Sequence, residues 1–292
     1  MLSYRHGFHA GNHGDVLKHL TQMLIIEKLL VKAKPFVYID THSGAGCYDL
    51  AADEAQKTAE YEQGIGRLQP QQANDASLVR YQALLQPYLA QQQYPGSPVI
   101  AASLLRDTDH IELMELHNTE IGNLKTNLAR YRKQQSEQTA HQSIHHRDGF
   151  EGLVAILPHA IKRGLVLIDP SYEIASDYQQ VVSAVKQAYK RWPTGIFAIW
   201  YPLLTQRAKN KAGKSEWMLE QLVQLGPKNM LVAELAVDDP AKDGGMYGSG
   251  MAILNAPWQV DELLASALAE VTPQLAQDDK AYHRISWMIE SE

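Results

Sequence analysis

Residues 165–172, which read Leu-Val-Leu-Ile-Asp-Pro-Ser-Tyr, decide how the rest of this sequence is interpreted. Four consecutive aliphatic residues that end at a proline turn predict a short buried strand. Ligands of an open α/β sheet bind outside the carboxyl ends of its strands. We therefore expect Asp169, the Pro170 carbonyl and the Tyr172 ring to face a crevice.

Two interpretations of this corner are open from the residues alone. An acid, a rigid carbonyl and an aromatic ring suit a flat ligand that carries an amine, and a nucleobase is the obvious candidate. The alternative is a strand followed by an ordinary turn, with Tyr172 as a packing residue, because four-residue motifs recur by chance.

The composition is that of an ordinary globular protein. The chain has 292 residues, of which 45% are hydrophobic and 21% are charged, so disorder is not expected. This length suits one large domain or one domain with an insertion. The N-terminus has no apolar core of signal-peptide type, and no stretch reaches membrane-spanning length. The single cysteine, Cys47, excludes a disulfide framework and a zinc site with several thiolates. We expect a cytoplasmic protein that does not contact a membrane.

The formal net charge of −6 argues against a surface that is uniformly adapted to nucleic acid. Local basic clusters are compatible with this charge and are the features to which phosphates respond. Three such clusters are Arg130, Arg132 and Lys133; Lys186, Lys190 and Arg191; and Arg207, Lys209, Lys211 and Lys214. Each cluster, taken singly, is more often a solvated face than a binding site.

The twelve histidines raise the question of a metal site. His6, His9 and His13 are close in sequence, but glycines interrupt any helix there. No cysteine or ordered set of carboxylates completes a ligand set beside them. We expect no metal.

The first fifty residues predict the start of a doubly wound fold. Apolar residues at helical spacing indicate a helix over 15–32. A β-rich run over 35–40 is followed by Thr-His-Ser-Gly-Ala-Gly over 41–46, a small turn that lets a cofactor approach the backbone closely. This turn lacks the third glycine of the dinucleotide fingerprint.

A helical insertion is predicted after this turn. The next strand covers 111–117, so Glu115 follows the glycines at about three times the usual distance for an acid that binds ribose. Residues 49–94 are rich in Ala, Gln, Glu and Leu, with apolar residues at helical spacing. We therefore expect a main domain of residues 1–48 and 95–292. The insertion 49–94 would be a small subdomain that either recognises substrate or only packs.

Strands and helices alternate through the rest of the sequence. Further strands are predicted near 195–201, 229–237 and 250–255, and helices near 119–134, 150–157, 176–191, 215–224 and 259–269. This alternation predicts an α/β three-layer sandwich with a mostly parallel sheet. The turn 41–46, Glu115, Asp148 and Asp169 then stand at the ends of successive strands.

The order of these groups resembles the S-adenosylmethionine-dependent amino-methyltransferases, whose signature is Asp or Asn, then Pro-Pro, then Tyr, Phe or Trp. The whole chain resembles the bacterial 23S ribosomal RNA adenine-N6 methyltransferases of the RlmJ type. The segments that carry this resemblance are MLSYRH (1–6), FHAGNH (8–13), DVLKH (15–19), DTH (40–42), GAG (44–46), EY (60–61), YPGSP (94–98), ELH (115–117), DGF (148–150) and WYP (200–202). The N-terminal segment is far more specific than the Asp-Pro motif.

This resemblance implies a class I S-adenosylmethionine-dependent methyltransferase, which is a Rossmann-like three-layer sandwich, with an early helical insertion. The residues that it assigns to S-adenosylmethionine are His19, His42, Ser97, Glu115, Asp148, Gly149 and Asp169. It assigns the catalytic acceptor role to Asp169, and contact with the RNA substrate to Tyr4. The implied activity is N6-methylation of a specific adenine in 23S ribosomal RNA.

A mechanism follows as a hypothesis, with Asp169, Pro170 and Tyr172 as the catalytic residues. The adenine N6 would donate hydrogen bonds to the Asp169 carboxylate and the Pro170 carbonyl, while Tyr172 stacks on the flipped base. Methyl transfer would be in line and would need no metal. Ser171 stands where the signature has its second proline, which leaves these three groups in place on a less rigid turn.

Three alternatives stay open. N6-methylation of adenine in DNA uses the same core chemistry, and a non-catalytic nucleic-acid-binding protein could keep the same fold. A nicotinamide-dependent reductase is weaker, because the glycine fingerprint is incomplete. We expect the protein to be a monomer.

Overall fold

The computed structural model describes residues 5–69, 73–135, 138–241 and 245–290. The strands of this part of the chain are β1 (Val37–Asp40), β2 (Cys47–Asp49), β3 (Gln93–Pro95), β4 (His110–Glu115), β5 (His141–His146), β6 (Gly164–Ile168), β7 (Ile196–Leu204), β8 (Met230–Ala236), β9 (Met246–Leu254) and β10 (Tyr282–Ile289). Its α-helices are α1 (His13–Leu30), α2 (Asp53–Thr58), α3 (Glu60–Gln63), α4 (Ala76–Leu89), α5 (Ser97–Leu104), α6 (Asn118–Gln134), α7 (Gly149–Ile156), α8 (Ser176–Arg191), α9 (Lys214–Val223) and α10 (Val260–Leu275).

Eight of these strands form one sheet in the order β10-β8-β9-β7-β6-β1-β4-β5. The five strands from β5 to β7 pair in parallel, whereas β9, β8 and β10 join by antiparallel pairing. The prediction of a mostly parallel α/β sheet is confirmed. The chain order reverses at β1, which lies between β4 and β6, so the carboxyl ends of these strands flank the crevice where such sheets bind ligands.

Helices cover both faces of the sheet, as the alternation of apolar residues along β6 requires. Leu165 and Leu167 pack into a cluster with residues of α1, α4, α5, α6 and α10. Val166 and Ile168 point the other way and pack with residues of α7, α8 and α9. The predicted three-layer sandwich is therefore the observed architecture.

Residues 49–94 are mainly helical, as predicted, but strands enclose them. β2 and β3 pair with each other in antiparallel fashion and bring the two ends of the insertion together. Leu78, Tyr81 and Leu85 of α4 are buried in the same apolar cluster as α1. The assignment of 49–94 as a separate subdomain stays a prediction.

β10 and the β2–β3 pair were not predicted from the sequence. β10 is an edge strand whose residues are mostly half-buried or exposed, so it has no continuous apolar run. β2 and β3 have three residues each, too few to show a period of two. Within the described residues, no helix is both long and apolar enough to cross a membrane.

Candidate active site

A cavity of about 200 Å³ opens at the carboxyl ends of β1, β4, β5 and β6. Every residue that the resemblance assigned to the cofactor lines it, namely His19, His42, Ser97, Glu115, Asp148, Gly149 and Asp169. Pro170 and Ser171 also border it. Tyr172 does not, and Tyr4 lies outside the described residues. The structure thus brings the predicted cofactor residues together, while their roles stay predictions.

The glycine turn after β1 is tied to the end of β4 by Glu115. Gly44 has a φ of +58°, a left-handed conformation that favours glycine, and its N–H donates to Oε2 of Glu115 at 2.8 Å. Oε1 of Glu115 accepts from the backbone N–H of His117 at 2.6 Å. This carboxylate is fixed at the mouth of the cavity and suits the vicinal hydroxyls of a ribose.

Asp148 caps α7 and Gly149 begins it, and both residues line the cavity. Oδ1 of Asp148 accepts from the N–H groups of Phe150 and Glu151 at 2.9 and 3.0 Å, a helix N-cap. A Cβ added at Gly149 would lie 1.9 Å from the Thr41 carbonyl oxygen. Only glycine lets α7 approach the β1 turn this closely.

Asp40 ends β1, directly before the glycine turn. No role was predicted for this residue from the sequence. Its buried carboxylate accepts from Oγ of Ser97 at 2.6 Å and from Oη of Tyr38 at 2.8 Å. Burial raises the pKa of Asp40 to about 6, against the opposing effect of these hydrogen bonds. The available signal was its position, because Asp40 ends a β-rich run just as Asp169 ends another.

Lys18 holds Asp169 in place, and it was also missed as a site residue. Its Nζ lies 2.5 Å from Oδ2 of Asp169 and 2.6 Å from Oδ1 of Asp15, and Lys18 and Asp15 are buried. Burial lowers the pKa of Lys18, but the two carboxylates outweigh it, and the net pKa is raised. A lysine inside the apolar stripe of α1, three residues after an acid, was the signal in the sequence.

Two of the histidines that line the cavity, His19 and His42, are uncharged near neutral pH, because burial lowers their pKa values. The pKa of His42 falls to about 4, and that of His19 falls well below its usual value. Nδ1 of His19 lies 2.7 Å from Oη of Tyr94, and its buried Nε2 has no hydrogen-bond partner among the described residues. An unpartnered polar atom beside the cavity fits a polar ligand group.

Tyr172 is largely buried, although it is among the residues that line a second cavity, described below. Its side chain is 2% exposed, and its Oη donates to the Trp200 carbonyl at 2.8 Å. Tyr172 packs in the α8 and α9 layer of the core, on the far side of the sheet from α1. The side chain that occupies the α1 side of this corner is Trp200.

A second cavity, of about 250 Å³, adjoins the first. Asp169, Pro170 and Ser171 line both cavities. Trp200 and Lys211 line the second one, as do residues of the N-terminal segment that include His6 and Asn12. The Asp-Pro-Ser corner therefore borders two adjoining cavities.

Several of the described histidines are paired with carboxylates. Nε2 of His6 lies 2.9 Å from Oδ2 of Asp15, and Nδ1 of His9 lies 2.8 Å from Oε1 of Glu60. A further cluster, His110, Glu112 and His159, has ligand atoms within 4.8 Å of one another. Nδ1 of His159 accepts from the Ile161 N–H at 3.0 Å, which leaves the proton on Nε2, the atom that faces Glu112. Oε2 of Glu112 lies 2.7 Å from Nε2 of His145, and its Oε1 lies 3.7 Å from Nε2 of His159.

The sheet order, the glycine turn after β1 and the acids at successive strand ends define a class I methyltransferase. The family model for ribosomal RNA large subunit methyltransferase D, RlmJ, matches residues 33–289. The chain belongs to this family of ribosomal RNA large subunit methyltransferases. The resemblance found in the sequence is confirmed at the level of the family.

Relatives match over nearly the whole chain. Ribosomal RNA large subunit methyltransferase J of Escherichia coli (strain K12) is 40% identical over 99% of both chains. The protein of the same name from Haemophilus influenzae is 39% identical over the same share. A crystal structure of a Legionella pneumophila protein superposes with a TM-score of 0.82 at 32% identity, covering 95% of this chain and 98% of that one.

Proposed function

We propose that this protein transfers the methyl group of S-adenosylmethionine to N6 of an adenine in 23S ribosomal RNA. Family membership supports ribosomal RNA methylation, since the relatives from E. coli and H. influenzae carry that name. The observation that carries the proposal is the position of Asp169 and Pro170 between two adjoining cavities. The polar groups of one cavity would suit an adenosyl cofactor, and the other cavity would take a second ring.

The first cavity offers groups that fit each part of S-adenosylmethionine. Glu115 would accept from the ribose hydroxyls, and Asp148 with Gly149 would bind the adenine end. His19 and Ser97 line the same cavity as Lys18 and Asp169, where the methionine part and its sulfonium would be held. Bound there, the cofactor would supply a methyl group that is already activated. This chain's residues would orient it and exclude water.

Asp169 and Pro170 would hold the acceptor nitrogen. Because Lys18 contacts Oδ2 of Asp169, Oδ1 is left to accept from one N6–H group, while the Pro170 carbonyl accepts from the other. These two acceptors favour a pyramidal N6 whose lone pair is available for bond formation. Orientation of this kind supplies about 7–11 kcal/mol of rate enhancement in well-aligned reactions. N6 becomes acidic only as the new bond forms, and Asp169 or water then takes its proton.

Other parts of the proposal follow from the substrate. A ribosomal RNA substrate supports a cytoplasmic location. The target adenine must leave its stack, because enzymes that modify bases extrude them. Tyr4 stays a proposed RNA contact, the insertion 49–94 stays a subdomain that either recognises substrate or only packs, and the monomeric state stays a prediction.

The test is mapping of N6-methyladenine in 23S ribosomal RNA by mass spectrometry. Cells that lack their own family member would express either the wild-type chain or Asp169→Asn. We expect the wild type to restore one N6-methyladenine, and the variant to lower its rate of formation at least about 100-fold, since an acceptor of the N6 protons is lost. The exposed Asp107→Asn is the matched control. Equal methylation by Asp169→Asn would contradict the mechanism.

Two further measurements separate the alternatives. Calorimetry with S-adenosylmethionine distinguishes an enzyme from a non-catalytic binding protein, because only the enzyme requires the cofactor. Initial rates on a 23S transcript and on duplex DNA distinguish the two acceptor classes. Faster methylation of duplex DNA would overturn the ribosomal RNA assignment.

A further inference from the structure

We propose that His110, Glu112 and His159 bind one divalent transition-metal ion such as Zn²⁺. These residues line neither of the two cavities, and the inference does not depend on the proposed function. His110 and Glu112 belong to β4, whereas His159 belongs to the loop 157–163 between α7 and β6. Because the residues come from two separate segments, their spacing along the chain gives no metal-binding pattern.

The fold brings the three side chains to one face of the sheet. Ile111 and Leu113 of β4 pack on the side that α1 covers. Side chains alternate along a strand, so His110 and Glu112 point to the opposite side, where α7 packs. The loop that follows α7 brings His159 to the same place, with its Nε2 3.7 Å from Oε1 of Glu112.

The distances and the chemistry of these groups suit a transition metal. One ligand atom from each of the three residues lies within 4.8 Å of the other two. Bonds to zinc of about 2.0–2.2 Å place the ligand atoms of a tetrahedral site about 3.3–3.6 Å apart. Rotation of the side chains is enough to close the difference. Imidazole nitrogens with a carboxylate oxygen suit zinc, whereas magnesium and calcium prefer oxygen ligands.

Neighbouring histidines leave the site ready for a cation. Nε2 of His145 lies 2.7 Å from Oε2 of Glu112, and a hydrogen bond of this kind orients a metal-binding carboxylate. The His110 ring centroid lies 5.1 Å from that of His141 and 6.2 Å from that of His159. Within the described residues, the His110 ring makes these ring contacts but no hydrogen bond. Its nitrogens are therefore available to a ligand.

Metal binding would change the hydrogen bonding of His159. Its Nδ1 accepts from the Ile161 N–H at 3.0 Å, so the ring proton is on Nε2 in this structure. When Nε2 binds a metal, the neutral ring holds its proton on Nδ1 and no longer accepts from Ile161. One hydrogen bond is exchanged for one metal–ligand bond, and the loop 157–163 becomes joined to β4.

The site is remote from the cofactor cavity. His110 begins β4, and Glu115, which lines that cavity, ends it. An extended strand of this length spans about 16 Å. A metal bound at the beginning of β4 would therefore stabilise the folded state, as any ligand of the folded state does, without contact with the cofactor.

Calorimetry with zinc chloride on the full chain, without a histidine tag, tests the site. His110→Gln and Glu112→Gln each remove one ligand, and His145→Gln removes only the hydrogen bond to Glu112. The matched control is His146→Gln, because His146 is an exposed histidine of β5 on the other face of the sheet. Melting temperatures are measured with zinc and with magnesium.

We expect one zinc ion per wild-type chain. Zinc affinity should fall about 10- to 100-fold in His145→Gln, as for other residues that orient a ligand, and more than about 100-fold in each ligand variant. The control should bind zinc as the wild type does. Zinc, but not magnesium, should raise the melting temperature of the wild type, with affinity for S-adenosylmethionine unchanged.

The outcomes separate this inference from the proposed function. Absence of zinc binding by the wild type overturns the metal site and leaves the methyltransferase assignment untouched. Wild-type affinity in His110→Gln or Glu112→Gln also overturns it, because the zinc would then lie elsewhere. An equal rise in melting temperature with magnesium contradicts imidazole ligands. Failure to methylate ribosomal RNA would leave the metal site standing.

A measurement on the wild type covers the case in which the ligand variants fail to fold. Nitrogen-15 NMR of the histidine rings is recorded with and without one equivalent of zinc. We expect the ring-nitrogen signals of His110 and His159 to shift, and the His159 proton to move from Nε2 to Nδ1. Shifts confined to other histidines, or no shift, would overturn the inference.

Discussion

Lys18 joins two acids through one buried ammonium group. The short contacts to Asp15 and Asp169 place a positive charge next to the Asp169 carboxylate. This carboxylate would accept a hydrogen bond from the adenine N6. A buried ion pair of this kind contributes little net stability, but removal of one member is costly because the other charge stays buried. These contacts fix the orientation of the Asp169 carboxylate. A carboxylate of fixed orientation can align the acceptor nitrogen that donates to it.

Asp40 gives a pH-dependent prediction at the residue scale. Its pKa of about 6 in the folded protein exceeds the ordinary value of 3.8, so the folded state binds this proton more tightly than the unfolded state. The contribution of Asp40 to stability is therefore greatest below pH 3.8 and is lost as pH rises through 6. The total loss is about 3 kcal/mol.

We expect Asp40→Asn to remove this loss of stability at higher pH, because the asparagine side chain does not ionise. The variant should gain stability relative to the wild type as pH rises from about 4 to 6, and the difference should then become constant. Urea unfolding at several pH values measures it, with the exposed Asp107→Asn as control for the loss of one carboxylate. A difference that shrinks as pH rises would contradict the assignment.

At the scale of elements, the start of α7 shows how closely two elements must approach to form the first cavity. The N-cap Asp148 and the glycine after it lie against the turn that follows β1. The helix therefore presents its positive end to the same space as Glu115 and the glycine turn. Neither element alone would make a cofactor site.

Gly149→Ala tests this approach. The added methyl group would meet backbone atoms of Thr41, so α7 or the turn must move. We expect a loss of about 1–3 kcal/mol in the free energy of unfolding and weaker binding of S-adenosylmethionine. Gly122→Ala, in α6, is the control, because no atom lies within 4 Å of its added methyl group.

The control should itself gain about 0.5–1 kcal/mol, since alanine is favoured over glycine inside a helix. Thermal unfolding and calorimetry with the cofactor measure both variants. If Gly149→Ala binds the cofactor as the wild type does, the close approach has no role in the site.

At the scale of the whole molecule, the insertion 49–94 is packed into the main core. α4 contacts both α1 and α10, and Leu78 is fully buried between them and the rest of the cluster. Shared burial couples the stability of the insertion to that of the sheet. We expect it to unfold together with the main domain.

Leu78→Ala measures this coupling. The substitution should lower the free energy of global unfolding by about 2–5 kcal/mol, as for other buried leucines. Val79→Ala, at the neighbouring position with 45% exposure, should change it by no more than about 0.5 kcal/mol. Hydrogen exchange of α1 amides reports global unfolding. If Leu78→Ala accelerates exchange only within 49–94, the insertion unfolds independently.

The regular elements with strong patterns were predictable from the sequence, and the irregular ones were not. The helix over 176–191 and the buried strand at 165–168 carry clear periodicity or a continuous apolar run, and both were found. β10 was missed because an edge strand needs no apolar run, since its stability comes from pairing with β8. Glu234 illustrates this dependence, because its buried carboxylate is paired by Arg284 of β10.

The sequence by itself determined the α/β class and the family, and the resemblance named seven of the residues that line the first cavity. Local periodicity and motif letters are properties of neighbouring residues, so they can be read in one dimension. The tertiary structure alone decided two contacts. Nζ of Lys18 contacts the Asp169 carboxylate, and the buried Tyr172 side chain donates a hydrogen bond to the Trp200 carbonyl. Both depend on residues that are distant along the chain, Lys18 to Asp169 and Tyr172 to Trp200. Their contacts exist only after α1, β6 and β7 have packed, because burial and register are set by the whole sheet.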